Sequence, residues 1–147
     1  MIKFETDILI HRSIADVFDY VSDTQNEPRW NSEVVDVELI DDGDNELNCR
    51  YRMQRVIGRK KIENLCRVTE YQKNKFLTIK TMAGPTPFTY RYSFEPIGKS
   101  TRISLDGKIK DEGLPFNAQP FFASHMIKLG VSNNFQKLKS ILESTQY

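Results

Sequence analysis

The chain has 147 residues, enough for a domain with a real hydrophobic core, and 39% of them are hydrophobic. Its 21 Lys and Arg against 20 Asp and Glu leave a net charge of +1 with the signs interspersed, which argues against a nucleic-acid footprint or a polybasic membrane anchor. No apolar run approaches the roughly 20 residues that span a bilayer, and an acid at Glu5 is unlike a signal peptide, so the cytoplasm is the expected location.

The first predicted strand alternates Ile2, Phe4, Thr6, Ile8 and Ile10 against Lys3, Glu5 and Asp7, the pattern of an antiparallel sheet with one wet face. Ser13 is a good N-cap for a short helix with Ile14, Val17, Phe18 and Val21 on one side, and Asp16 suits its first turn. Pro28 starts a second short helix that delivers Trp30 to the sheet.

Six more strands follow, separated by turn chemistry. The second sets Val35, Val37 and Leu39 on one face and ends at Asp41–Asn45. The third runs through Leu47, Cys49, Tyr51 and Met53 to Gly58. The fourth carries Ile62, Asn64, Cys66 and Val68, and the fifth spans Phe76 to Met82. In the sixth, Phe88, Tyr90, Tyr92 and Phe94 alternate with Thr89, Arg91, Ser93 and Glu95. The seventh places Ile103, Leu105, Gly107 and Ile109 together. Short loops make this a meander.

From about Ala118 to Glu143 the period changes from two to 3.6, with Phe122, Met126, Leu129, Val131, Phe135, Leu138 and Leu142 as the stripe of one long helix. Gly130 interrupts it, through either close backbone approach or a kink. Cys49 and Cys66 lack any metal-ligand spacing and read as buried, reduced thiols. No HExxH, His pair or Cys cluster suggests a metal, and Asp41, Asp42 and Asp44 lack EF-hand spacing, so neither metal nor cofactor is expected.

Ile8-x-Ile10 leading to Val17-Phe18-x-x-Val21-x-Asp23 and Pro28-x-Trp30, then Val68-Thr69-Glu70-Tyr71, Gly84-Pro85, Tyr92-x-Phe94-Glu95, Thr101-Arg102-Ile103 and Leu138-Lys139-x-x-Leu142-Glu143, resemble the polyketide cyclase/dehydrase-like branch of the START-like (SRPBCC) superfamily. The resemblance implies an α+β helix-grip fold over residues 1–147 as a single domain. A seven-stranded antiparallel sheet would wrap around the long C-terminal helix, with two short helices after the first strand. It also implies a cavity between sheet and helix, used across relatives for hydrophobic molecules. Some relatives catalyse cyclisation with pocket Arg, His, Tyr or Asp groups; others only bind. No invariant catalytic motif transfers to this chain.

Inward parity and the helix stripe make the cavity candidates Tyr51, Met53, Arg55, Asn64, Cys66, Ile79, Thr81, Tyr90, Tyr92, Leu105, Phe122, Met126 and Leu129. Arg55 could fix a ligand carboxylate, but near a strand end it is expected to reach out to the rim. Gly84, Pro85, Pro87 and Phe116 are expected at the entrance, with Phe116 as a lid. His125 sits near that mouth as a solvent-facing helix residue, with a general acid/base role as the sharper alternative. The leading reading is a binding or carrier protein for a small hydrophobic or amphipathic ligand, without catalysis. A cyclase, dehydratase or isomerase in the same cavity is the first alternative, and a co-chaperone-like interaction module the second.

Overall fold

Strand β1 (Ile2–Ile10) opens a computed structural model that describes residues 1–43, 46–110 and 120–144, the last segment with side chains from Ala123 onward. After it, Ser13 caps α1 (Ile14–Ser22), its Oγ accepting from the Asp16 amide at 3.3 Å. Val17, Phe18 and Val21 are buried on the face of α1 turned to the sheet, where the Phe18 ring meets Phe94 at 4.9 Å and Tyr71 at 5.5 Å. A 3-10 turn over Thr24–Asn26 leads into α2 (Glu27–Trp30), a single helical turn with Pro28 in its first positions.

The strands β2 (Val34–Asp41), β3 (Arg50–Ile57), β4 (Lys60–Gln72), β5 (Phe76–Ala83), β6 (Phe88–Ile97) and β7 (Ser100–Ile109) complete an antiparallel sheet in the order β1-β7-β6-β5-β4-β3-β2. This is the expected helix-grip arrangement, with α3 (Pro120–Ser144) as the long helix. Its inner face is continuous across the register: Phe4 opposes Gly107, Gly107 opposes Tyr90, and Tyr90 opposes Ile79. Gly107 leaves room for the Phe4 ring, into which an added Cβ would collide, and that ring meets Tyr90 edge-on at 5.6 Å.

Two expectations in this region are corrected. In β2, Val34 and Val37 are buried while Val35 is 56% exposed and Leu39 also faces out. Register shifts between Val34 and Asp36, and again between Leu39 and Asp41, break the period of two. Likewise β3 begins at Arg50, so Leu47 is exposed and Cys49 precedes the strand; Glu46 and Asn48 there adopt positive φ values of 79° and 65°. Both cysteines are buried and unpaired with each other.

Helix α3 runs in the same direction as β1 and is bonded to it along its length. Ser124 Oγ donates to the Lys3 carbonyl at 2.6 Å, Ser132 Oγ meets Thr6 Oγ1 at 3.2 Å, and Lys139 Nζ donates to the Leu9 carbonyl at 2.6 Å. At the far end the His11 amide donates to Glu143 Oε2, and Arg12 Nη1 to the Leu142 carbonyl. The edge strand thus has carbonyls capped by helix side chains, which protects it from pairing with another chain. Phe135, Leu138 and Leu142 are buried, whereas Met126 and Leu129 are each 50% exposed. The buried stripe passes instead through Ala123 and the half-buried Ile127 and Val131.

Candidate functional site

Between the N-terminal half of α3 and the inner face of β3, β6 and β7 lies a cavity of about 200 Å³. Trp30, Tyr90, Tyr92, Leu105, Ile109 and Ile127 give it apolar walls; Arg55, Thr86, Asn31 and Asn134 add polar ones. The exposed lining residues Glu33, Gly58, Met126 and Gly130 mark its opening. Trp30 is fixed edge-on to Tyr92 at 6.4 Å and beside Phe135 at 6.3 Å, so α2 supplies one wall.

Arg55, Tyr90, Tyr92, Leu105 and Met126 are the expected cavity residues that line this space. Met53, Asn64, Cys66, Ile79 and Thr81 share their inward parity but are buried in the packed sheet and do not line it. Tyr51 is buried toward the opposite end, bordering a groove with Asp23 and Asp42. Leu129 does not line the cavity, and the Phe122 side chain and Phe116 lie outside what the structure describes. Gly84 and Pro85 are exposed and Pro87 is half-buried; from that loop it is Thr86, almost wholly buried, that forms cavity wall. His125 faces solvent. Trp30, Asn31, Glu33 and Thr86 were missed as lining residues, because loops and a one-turn helix carry no periodicity; Asn134 was missed because it is a polar residue of α3 and the apolar stripe passes it over.

Arg55 overturns the rim expectation, being only 4% exposed. Its Nη1 donates to Asn64 Oδ1 at 3.2 Å and to the Thr86 carbonyl at 3.4 Å, and its guanidinium stacks 4.8 Å from the Phe88 ring centre. Asn64 is itself a clamp, its Nδ2 donating to the carbonyls of Ala83 (3.3 Å) and Pro85 (2.8 Å). Gly84 turns there at φ 103°, and an added Cβ would strike Glu63 and Asn64.

A second polar chain ties α2 to α3. Asn134 Oδ1 accepts from the Ser32 amide and hydroxyl, both at 3.2 Å, and its Nδ2 donates to Asn31 Oδ1 at 3.1 Å. Asn31 Nδ2 in turn donates to Glu27 Oε1 at 3.2 Å. Glu27 is 6% exposed, and burial pushes its carboxyl up to about 7 against the opposing pull of Asn31 and the Arg55 charge. Burial also raises the Tyr90 and Tyr92 hydroxyls and pushes the Cys66 thiol up to about 12, so all three stay neutral near pH 7. Among these cavity and near-cavity groups, Glu27 is the acid whose range reaches neutrality, and it stands one residue behind the wall.

Gly130 lines the opening, and a Cβ built there meets nothing within 4 Å, which overturns close backbone approach as its reason. Gly130→Ala is therefore expected to raise stability by up to about 1 kcal/mol through helix propensity alone, read as a higher urea midpoint at unchanged slope. A loss of stability would mean the site is tighter than it looks.

The sequence profile of the family described as polyketide cyclase / dehydrase and lipid transport matches residues 1–143. The chain belongs to that family. Among solved structures, a START superfamily protein from Mycobacterium smegmatis superposes with a TM-score of 0.82 at 17% identity, covering 97% of each chain. A protein from Thermus thermophilus gives 0.81 at 15% identity over 99% of each chain. The di-domain ARO/CYC BexL from the BE-7585A biosynthetic pathway gives 0.75 at 17% identity, over 97% of this chain and 47% of that one. At such identities these likenesses establish the START-like fold. No curated protein sequence matches. Family and fold together support a ligand-binding or cyclase-type function, and no helix among the described residues is long and apolar enough to cross a membrane.

Proposed function

We propose that this family member, acting as one domain in the cytoplasm, binds or carries a small hydrophobic or amphipathic molecule in the cavity beneath α3. The observation that carries the reading is the partly open cavity itself, walled by Trp30, Tyr90, Tyr92, Leu105, Ile109 and Ile127. Burying about 200 Å² of ligand apolar surface contributes on the order of 5 kcal/mol before association costs. Tyr90 and Tyr92, held neutral by burial, offer contact area and hydroxyl dipoles rather than a base at neutral pH. Catalysis of cyclase type is the second reading, favoured by the buried Arg55 in the wall, which could polarise a carbonyl oxygen.

Native mass spectrometry of freshly purified protein is expected to show a mass adduct that denaturation releases. Gly130→Trp, which projects an indole from the helix into the opening, should remove the adduct while leaving the thermal midpoint within a few degrees. An adduct undiminished in Gly130→Trp would place the ligand elsewhere. A bound molecule recovered chemically altered after incubation would move the reading to the enzyme.

A further inference from the structure

We propose that the ligand is an amphiphile with a singly charged anionic head group of the carboxylate class, received by the Arg55 guanidinium in the cavity wall. This inference rests on the binding function proposed above and names the chemistry of its ligand. A guanidinium has five N–H donors and stays charged at any pH a protein survives. Among the described residues, the Arg55 hydrogen bonds all come from Nη1, and they go to neutral acceptors, Asn64 Oδ1 and the Thr86 carbonyl. Its other contact, the face of Phe88, is also uncharged. The remaining donors, on Nε and Nη2, find no partner among the described residues, and none of their carboxylates lies within ion-pair distance of Arg55. Neither atom is among the buried partnerless ones, so these donors open onto the cavity that Arg55 lines, where a ligand can supply the missing negative charge.

Two acids stand near enough to feel Arg55, and neither serves as that partner. Glu27 is held by Asn31, and Glu33 is an exposed residue at the cavity opening. An acid paired with a guanidinium is held below its ordinary value, yet burial raises the Glu27 carboxyl to about 7 against the pull of the Arg55 charge. Two further polar atoms of cavity residues, Trp30 Nε1 and Thr86 Oγ1, are buried without a partner, and Thr86 already touches Arg55 through its carbonyl. The planar fork of donors suits a carboxylate, and one positive charge suits one negative charge better than the two of a phosphate monoester.

Trp30 is the single tryptophan of the chain and lines the cavity, so its fluorescence reports occupancy. Titrations would use octanoate, its neutral isostere octanamide, and octyl phosphate. Wild type is expected to bind octanoate at least tenfold more tightly than octanamide and more tightly than octyl phosphate. Arg55→Gln should bring the octanoate-to-octanamide ratio to within twofold while sparing octanamide; Arg55→Lys should keep part of the preference. Equal wild-type affinity for octanoate and octanamide, or a ratio unchanged in Arg55→Gln, would overturn the head-group assignment and leave an apolar binding protein. Octyl phosphate binding more tightly than octanoate would overturn the carboxylate class. Failure of all three probes to bind would instead sink the binding function itself. Should Arg55→Gln not fold, wild type alone decides: octanoate affinity must fall as the pH drops through the range of its own carboxyl while octanamide affinity does not fall with it, and parallel behaviour of the two refutes the inference.

Discussion

Asn64→Leu, nearly unchanged in volume, should cost about 4 kcal/mol of stability. Asn64 is fully buried and makes three side-chain bonds: both Nδ2 hydrogens go to one loop, at the Ala83 and Pro85 carbonyls, and Oδ1 accepts from Arg55 Nη1 of β3. Leucine would strand two carbonyls and remove one of the two acceptors from a buried guanidinium. Each stranded neutral group costs about 1–3 kcal/mol, and a charged donor more. The loop has little means of adjusting, because Gly84 at φ 103° and Thr86 at φ 53° already sit in backbone regions that side chains disfavour. Met53, the residue opposite Asn64 in the register and equally buried, provides the control: Met53→Leu should cost less than about 1.5 kcal/mol. Urea unfolding at unchanged slope measures both, and a cost below about 1 kcal/mol for Asn64→Leu would show that the loop is held by something else.

The stability advantage of Glu27→Gln over wild type should widen by about 3 kcal/mol between pH 4.5 and pH 7.5. Burial raises the folded-state carboxyl from 4.5 to about 7, and each unit of such a shift is about 1.4 kcal/mol. The sign follows from proton counting. Below 4.5 Glu27 is protonated in both states; as pH rises, the unfolded chain ionises first, so the folded state is progressively disfavoured until its own carboxyl ionises near 7. Above that the penalty is constant. Glutamine imitates the protonated acid and still accepts from Asn31 Nδ2, so it escapes the penalty at every pH. Subtracting the two pH profiles cancels the groups they share. A difference flat with pH would mean that Glu27 ionises normally, and that the Arg55 charge reaches it more strongly than its surroundings suggest.

Strand alternation made most of the sheet legible, since parity alone decides which face a residue takes. Ile62, Asn64, Cys66 and Val68 are all buried as their period of two requires. Bulges defeat that rule, which is why Val35 and Leu39 were assigned inward and lie outward. Parity also gives the face of the sheet and not the distance to the helix above it. Cys66 and Arg55 share a face, yet one is packed under neighbours and the other borders empty space. The depth of Arg55 depends on partners 9 to 33 residues away in sequence, Asn64, Thr86 and Phe88, which no local pattern connects. Glu27 is illegible for a different reason: a four-residue helix is too short to show a buried side.

The strand order carries a consequence for how the chain acquires its shape. Five of the six pairings join strands adjacent in sequence, whereas the sixth couples residues 2–10 to residues 101–109. Hairpins from β2 to β7 close over short loops, so their entropic cost is small and they assemble early. The first strand has to wait through the synthesis of everything between, and α3, bonded to β1 from Lys3 to His11, is made later still. Until both arrive, the outer edge of β7 is an unpaired template on an otherwise formed sheet. A nascent or partly unfolded chain is therefore most exposed to mispairing along β7, and substitutions that loosen β1 or its grip on α3 should show first as aggregation, before any change in the rest of the fold.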